Sequence, residues 1–267
     1  MLRSRRMIAM PQLPEDLTLK RTLIANIAMI GKPGSGEWTL VDAGIAGFAR
    51  AIADAAEERF GAAAPKAIVL THAHFDHVGS LEKLLELWDV PVYAHEQELP
   101  YLQGERNYPP PDADAGGGLM TLLSPLYPRE ALQLGGKVKP LPEDGSVPGL
   151  PEWKWIGTPG HTPGHVSLFR ERDRALIAGD AFITVKQESA WAVLVQEQEI
   201  HGPPMYFTPD WATAKASVRR LEALRPEFAL AGHGAPMDGE RLRAGLAELA
   251  ERFDEMAVPP DRRPAQR

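Results

Sequence analysis

Six consecutive residues, His72-Ala73-His74-Phe75-Asp76-His77, set three imidazoles and one carboxylate at the end of the apolar run Ala67-Ile68-Val69-Leu70-Thr71. His72 and His74 are two apart, so extended backbone points both rings to the same side. Asp76 and His77 follow where Gly79-Ser80 and the periodic Leu81, Leu84, Leu85 and Trp88 signal a turn into a helix. Two neighbouring ligand groups result, His72/His74 and Asp76/His77. Their natural occupants are two adjacent divalent ions, zinc foremost, because imidazole and carboxylate together suit such metals. A run of surface polar residues is the competing reading, and three His in six positions weigh against it.

A paired-ion site needs more ligands than one loop supplies. His161 lies in the turn-rich Thr158-Pro159-Gly160-His161-Thr162-Pro163-Gly164-His165, Asp180 ends the apolar run Leu176-Ile177-Ala178-Gly179, and His233 ends Ala229-Leu230-Ala231-Gly232. The flanking glycines let backbone pack close to such a site. Each position alone is a weak signal, since a lone polar residue at a strand end more often caps a turn. The ordered set, a His-x-His-x-Asp-His loop followed by a lone His, an Asp and a last His, resembles the metallo-β-lactamase superfamily. The resemblance spans roughly residues 20 to 250. It implies a first metal on His72, His74 and His161, a second on Asp76, His77 and His233, and Asp180 bridging the two. It also implies an α+β fold, the αββα four-layer sandwich. Asp42, in Val41-Asp42-Ala43-Gly44, matches a carboxylate that the superfamily keeps beside its metals, although an Asp in a turn before a helix reads equally well.

Composition narrows the class. The chain has 267 residues, 44% of them hydrophobic, and no Cys, so any metal is held by nitrogen and oxygen ligands. The formal charge of −7 argues against a nucleic-acid grip, which wants a basic surface. The basic N-terminus carries an apolar stretch too short for a signal peptide, which needs roughly seven to fifteen residues, and no run of about twenty suggests a membrane span. The expectation is a cytoplasmic protein with a small-molecule substrate.

The elements that must position these residues read as one domain over 1–258. Strands are expected at Thr22–Ile30, Trp38–Val41, Ala67–Leu70 and Pro91–Ala94, with helices at Ile45–Phe60 and Ser80–Trp88. A second half repeats the theme with strands at Trp153–Ile156, Val166–Arg170, Ala175–Ala178 and Phe228–Ala231. Its helices are expected at Pro209–Leu224 and Asp238–Arg252. An irregular Pro/Gly-rich insertion lies between about 100 and 149, broken by a short helix at Leu119–Leu123. It either folds over the site, presenting Tyr101, Tyr108, Met120, Leu123 or Tyr127, or makes a homodimer contact, or simply packs. Residues 259–267 read as a mobile tail. Among the other histidines, His95 caps a helix, His165 is structural and His201 is not a ligand.

Two such ions and a bridging hydroxide suit attack on a carbonyl, a lactone or ester, with Asp76 returning the proton to the leaving group. Glutathione thioester hydrolases of the superfamily usually read Gly-His-Glu where this chain has Gly232-His233-Gly234, and they carry a further helical domain. β-Lactamases differ at the Asp180 position and bear a signal peptide. Acyl-homoserine lactonases carry a Tyr where this chain has Ile183. The reading of another class is an iron-dependent persulfide dioxygenase. Trp191, Tyr206, Phe207 and Lys186 are further candidates for the pocket.

Overall fold

Alternation of side chains between two faces organises the molecule, shown by a computed structural model that describes residues 13–112, 115, 119–186 and 198–263. One six-stranded sheet runs β1 (Leu17–Thr22), β2 (Ala25–Ile30), β3 (Thr39–Val41), β4 (Ile68–Val69), β5 (Val92–Ala94) and β6 (Val138–Pro140). It is antiparallel from β1 to β3 and parallel from β3 to β6. The second six-stranded sheet runs β7 (Ser146–Val147), β8 (Leu150–Gly157), β9 (Val166–Arg170), β10 (Ala175–Gly179), β11 (Phe228–Ala231) and β12 (Met237–Asp238). Only β10 and β11 pair in parallel there. The helices are α1 (Ala49–Phe60), α2 (Phe75–Val78), α3 (Leu81–Leu87), α4 (Leu99–Leu102), α5 (Leu119–Leu123), α6 (Trp211–Ala223), α7 (Gly239–Glu251) and α8 (Phe253–Met256).

On β2, Ile27 and Met29 face the helices while Ala28 and Ile30 face the other sheet. On β10, Leu176 and Ala178 face helices while Ala175 and Ile177 face inward. Ile52 and Phe60 of α1 and Leu81 and Leu84 of α3 cover the first sheet. Val218 and Leu221 of α6, with Leu242 and Leu246 of α7, cover the second. Each such aliphatic side chain contributes roughly 1.5–3 kcal/mol by leaving water. Helices outside two apposed sheets make the expected αββα sandwich.

Four expectations change in detail. The single strand at Thr22–Ile30 is a hairpin, β1 and β2, turned at Leu23 with φ 66° and closed by Thr22 Oγ1 donating to Ala25 O at 3.1 Å. No Gly, Asn or Pro marks that turn. The first helix starts at Ala49 rather than Ile45 because residues 45–48 are bound to Ser80. Its hydroxyl donates to Ile45 O at 2.6 Å and accepts from Phe48 N at 3.1 Å. The 100–149 stretch is only partly irregular, since it supplies α4, α5 and the edge strands β6 and β7. Pro140 is tolerated in β6 because that strand is an edge. Residues 259–263 are tied down, with a 3-10 turn at Pro260–Arg262 and Arg262 paired to Asp112 at 3.0 Å; residues 264–267 lie outside the described residues. Among the described residues no helix is long and apolar enough to cross a membrane.

Arg170, fully buried at the end of β9, lies 4.7 Å over Trp153 and binds both Asp16 and Asp173. Partial burial alone would raise the Asp16 pKa; the hydrogen bonds and charge of Arg170, helped by Arg172, outweigh it and hold the carboxyl below its ordinary range. A lowered folded-state pKa means stability that is complete above the unfolded value of about 3.9 and lost as pH falls through the folded one. Asp16→Asn should therefore cost about 1.5–3 kcal/mol at pH 7, the range for a hydrogen bond to a charged group. In urea melts of both proteins the difference should shrink as pH falls below about 4.

Candidate metal centre

The parallel strands β3, β4, β10 and β11 all end at the same rim, where open α/β sheets place their ligands. Asp42 follows β3, the His72–His77 loop follows β4, Asp180 follows β10, and His233 follows β11. The turn before β9 adds His161, because β9 runs antiparallel to β10 and so begins at that rim. The sheets are laced together there. Val166 N donates to Thr71 O at 2.9 Å, and Asn26 donates from N to Gly232 O at 2.7 Å and from Nδ2 to Ala231 O at 2.9 Å. Gly232 is demanded by the crowding, since a Cβ there would sit 2.0 Å from Asp180 Oδ1 and 2.7 Å from His77 Cε1.

All seven sequence-predicted ligands are buried and converge. Three groups have ligand atoms within 4.8 Å of one another: His72/His74/His161, His72/His77/Asp180 and Asp76/His77/His233. His74 Nδ1 faces His161 Nε2 at 2.9 Å, and His233 Nε2 lies 3.4 Å from Asp76 Oδ2. Asp180 sits between the two sets. Its Oδ2 is 3.5 Å from His161 Nε2 and 3.1 Å from His233 Nε2, and its Oδ1 is 3.6 Å from His77 Nε2. Ligands about 2.0–2.1 Å from a tetrahedral zinc lie about 3.3 Å from each other, so these separations fit shared ions. His72 Nε2, His77 Nε2 and Asp180 Oδ1 are buried without any hydrogen-bond partner. Such orphaned acceptors are costly unless a cation binds them.

The outer nitrogens explain why the inner ones are free. Asp42 Oδ2 accepts from His77 Nδ1 at 2.8 Å, and Ile24 O accepts from His233 Nδ1 at 2.9 Å, so both Nε2 atoms must be unprotonated when those rings are neutral. Thr71 Oγ1 donates to Asp42 Oδ2 at 2.8 Å and is left to accept from His72 Nδ1 at 3.1 Å. Thr208 Oγ1 donates to Pro204 O at 2.8 Å and accepts from His161 Nδ1 at 3.0 Å. Four rings therefore offer Nε2 inward, while His74 offers Nδ1. Outer partners of this kind fix tautomer and orientation in metal sites.

Electrostatics divides the cluster. Burial lowers the pKa of His72 and His161 far below normal and that of His74 to about 3, so this triad is neutral, as ligation requires. Burial also opposes charge on His77 and His233, but Asp180 outweighs it at both and raises them, assisted by Asp42 at His77 and by Asp76 at His233. Burial would raise Asp180, yet the adjacent His233 and His77 hold it well below the usual carboxylate range. Asp76 is raised, by burial.

His165 is excluded as a ligand, consistent with its structural reading. Its Nε2 accepts from Asp180 N at 2.8 Å and its Nδ1 meets Thr158 Oγ1 at 2.8 Å. Burial lowers it to about 4. His95 accepts from Gln97 N, as expected of a cap, and His201 pairs its backbone with Ile183 away from the ligand groups. Asp42 proves to be more than a turn residue. Sequence reasoning missed Thr71, Thr208 and Glu98, ordinary residue types whose roles arise only when distant loops meet.

A cavity of about 370 Å³ opens beside His74 and His161. Tyr101, Tyr108 and Asp112 of the insertion line it together with Met205, Phe207, Trp211 and the buried Pro259, and the exposed Arg262 stands at its lip. The Phe207 ring lies 4.8 Å from that of His74. Lys186 is exposed; Trp191 and the side chain of Met120 lie outside the described residues.

Residues 21–233 match the family model described as "Metallo-beta-lactamase superfamily". "Probable metallo-hydrolase YflN" of Bacillus subtilis (strain 168) is 53% identical over 232 residues, 86% of this chain and 88% of that one. "Probable metallo-hydrolase YybB" of the same organism is 34% identical over 195 residues, 73% and 74% of the two chains. Among solved structures, TTHA1623 in a di-iron-bound form shares 26% identity with a TM-score of 0.53, covering 92% of this chain and 98% of that one. The BLEG-1 B3 metallo-β-lactamase shares the fold at a TM-score of 0.59 and 22% identity, covering 88% and 97%.

The hydrogen bonds separate ligands from supports. Asp42→Ala should weaken metal binding by about 10–100-fold while leaving the ligand set intact. His165→Gln should still take up as much metal as the wild type, and His161→Ala should not. Elemental analysis after equilibrium dialysis against a fixed metal concentration checks all three.

Proposed function

This chain belongs to the metallo-β-lactamase superfamily and is a metallo-hydrolase by its His/Asp metal-binding groups, and we propose that it opens a lactone or cleaves a comparably neutral ester. In this reading His72, His74 and His161 hold one ion, Asp76, His77 and His233 hold a second, Asp180 serves both, and zinc is the metal. The observation that carries it is the set of buried, partnerless acceptors on His72, His77 and Asp180 pointing into one space. Bound there, divalent ions supply Lewis acidity and lower the pKa of water, so the chain needs no separate general base.

The chain's own residues do the rest. Asp42, Thr71, Thr208 and the Ile24 carbonyl keep four of the five imidazoles, those of His72, His77, His161 and His233, in the ligating tautomer. Asp76 turns Oδ2 toward His233, which leaves Oδ1 to carry a proton to the leaving oxygen. The cavity wall supplies selectivity. Its charged carboxylate and guanidinium among the described residues, Asp112 and Arg262, bind each other at 3.0 Å. Apart from Thr208, what remains is largely aromatic and apolar, with Tyr108, Met205, Phe207 and Trp211 foremost. Such a wall suits an uncharged, partly apolar substrate and, among the described residues, offers no cluster of cations to a polyanion.

The likeness to a protein solved in a di-iron form supports iron as an alternative metal, since imidazole and carboxylate also suit it, and the second reading is iron-dependent oxidation of a persulfide. Protein purified without added metal and analysed for its elements distinguishes the two. Chelator-stripped protein reloaded with zinc should hydrolyse lactones or aryl esters with a higher kcat/KM than a glutathione thioester, a cephalosporin or a phosphotriester. Asp180→Ala should lower that rate by more than about 100-fold, the upper end for residues that merely support ligands. A preference of several orders of magnitude for the thioester or the cephalosporin would overturn the substrate class. Activity only with iron and a persulfide would overturn the reaction class.

A further inference from the structure

Glu98 is fully buried just ahead of α4, and no ion pair reaches it among the described residues. Its Oε2 accepts from Ala73 N at 3.0 Å and from the Tyr108 hydroxyl, and its Oε1 accepts from Gly164 N at 2.8 Å. Ala73 lies between His72 and His74, and Gly164 follows His161 by three residues. One carboxylate thus holds the backbones of the two loops that carry the first ligand triad. The approach is close enough to require glycine, since a Cβ on residue 164 would sit 2.8 Å from Glu98 Cγ and 2.9 Å from Oε1.

The third donor reaches the substrate side. Tyr108 belongs to the insertion, lines the cavity, stacks on Tyr101 at 3.9 Å and sets its ring 4.5 Å from that of His74. The opposite half of the centre is held otherwise: Asp42 orients His77 and the Ile24 carbonyl orients His233. A buried carboxylate without a cation costs more than a hydrocarbon of the same size, so its place here calls for a return in geometry. Ala73 N and Gly164 N, one on each carboxylate oxygen, can only donate, an arrangement that a carboxylate satisfies and an amide cannot.

Resting on the two-ion reading above, we propose that Glu98 is a positioning residue for the first metal alone, fixing His72 and His74 against His161 and coupling that triad to the cavity wall through Tyr108. Glu98→Gln keeps the shape but turns one acceptor into a donor, leaving one backbone N–H or the phenol unmatched.

The test uses the full chain loaded with cobalt(II), whose visible d–d bands report each ion, alongside affinities from chelator competition. His161→Ala and His233→Ala assign the bands to the first and second site. Glu98→Gln should weaken one equivalent by about 10–100-fold and perturb the band that His161→Ala removes, leaving the other unchanged. Tyr108→Phe should do the same more weakly, and decides the matter if Glu98→Gln does not fold. Equal weakening of both equivalents in step with a lower Tm, or no change in either, overturns the proposal. A wild-type chain that binds fewer than two ions overturns the two-ion reading itself, and this proposal with it.

Discussion

Buried polar atoms without partners are costly, and three of them, His72 Nε2, His77 Nε2 and Asp180 Oδ1, meet at the centre of this molecule. The rings of His72, His77, His161 and His233 spend their Nδ1 hydrogen bonds outward and turn Nε2 toward Asp180 or toward each other. Water cannot relieve them, because the ligating side chains are buried. A divalent cation at the focus would satisfy those atoms, so metal affinity and folding free energy are coupled through them. The apolar layers on either side of the two sheets are what hold the rings in place.

That load is spread over elements far apart in sequence. The hairpin of β1 and β2 supplies the Ile24 carbonyl and Asn26, β3 leads into Asp42, and the approach to α6 supplies Thr208. The centre is consequently a seam between the sheets rather than a property of either one. His165, which ligates nothing, belongs to the same seam, because it anchors the Asp180 backbone while Thr158 and Ser167 pass the hydrogen bonding on to Ala178 O.

The residues that converge at the candidate centre were legible in the sequence because their chemistry is unusual: three imidazoles in six residues and single polar residues at the ends of apolar strands. The layers were legible because β2, β10 and β11 read as nearly unbroken apolar runs, buried on both faces, so each must lie between a helix layer and the other sheet. What stayed hidden lacks a local signal. Glu98 sits in Glu96-Gln97-Glu98, which reads as solvated surface, and acquires meaning only when the loops of Ala73 and Gly164 close over it. Leu23 takes a left-handed turn that nothing in its residue type announces. The cavity was harder still, since its wall joins residues from 101 to 262 and no pattern along the chain links them.

The bond between Arg262 and Asp112 at the cavity lip has an evolutionary consequence. The last described turn of the chain is part of the doorway, yet it touches none of the ligands. Substitution of Arg262 or Asp112 can reshape what is admitted while the reaction centre is inherited unchanged. Homologues with matching centres can therefore diverge in diet through changes in this wall alone.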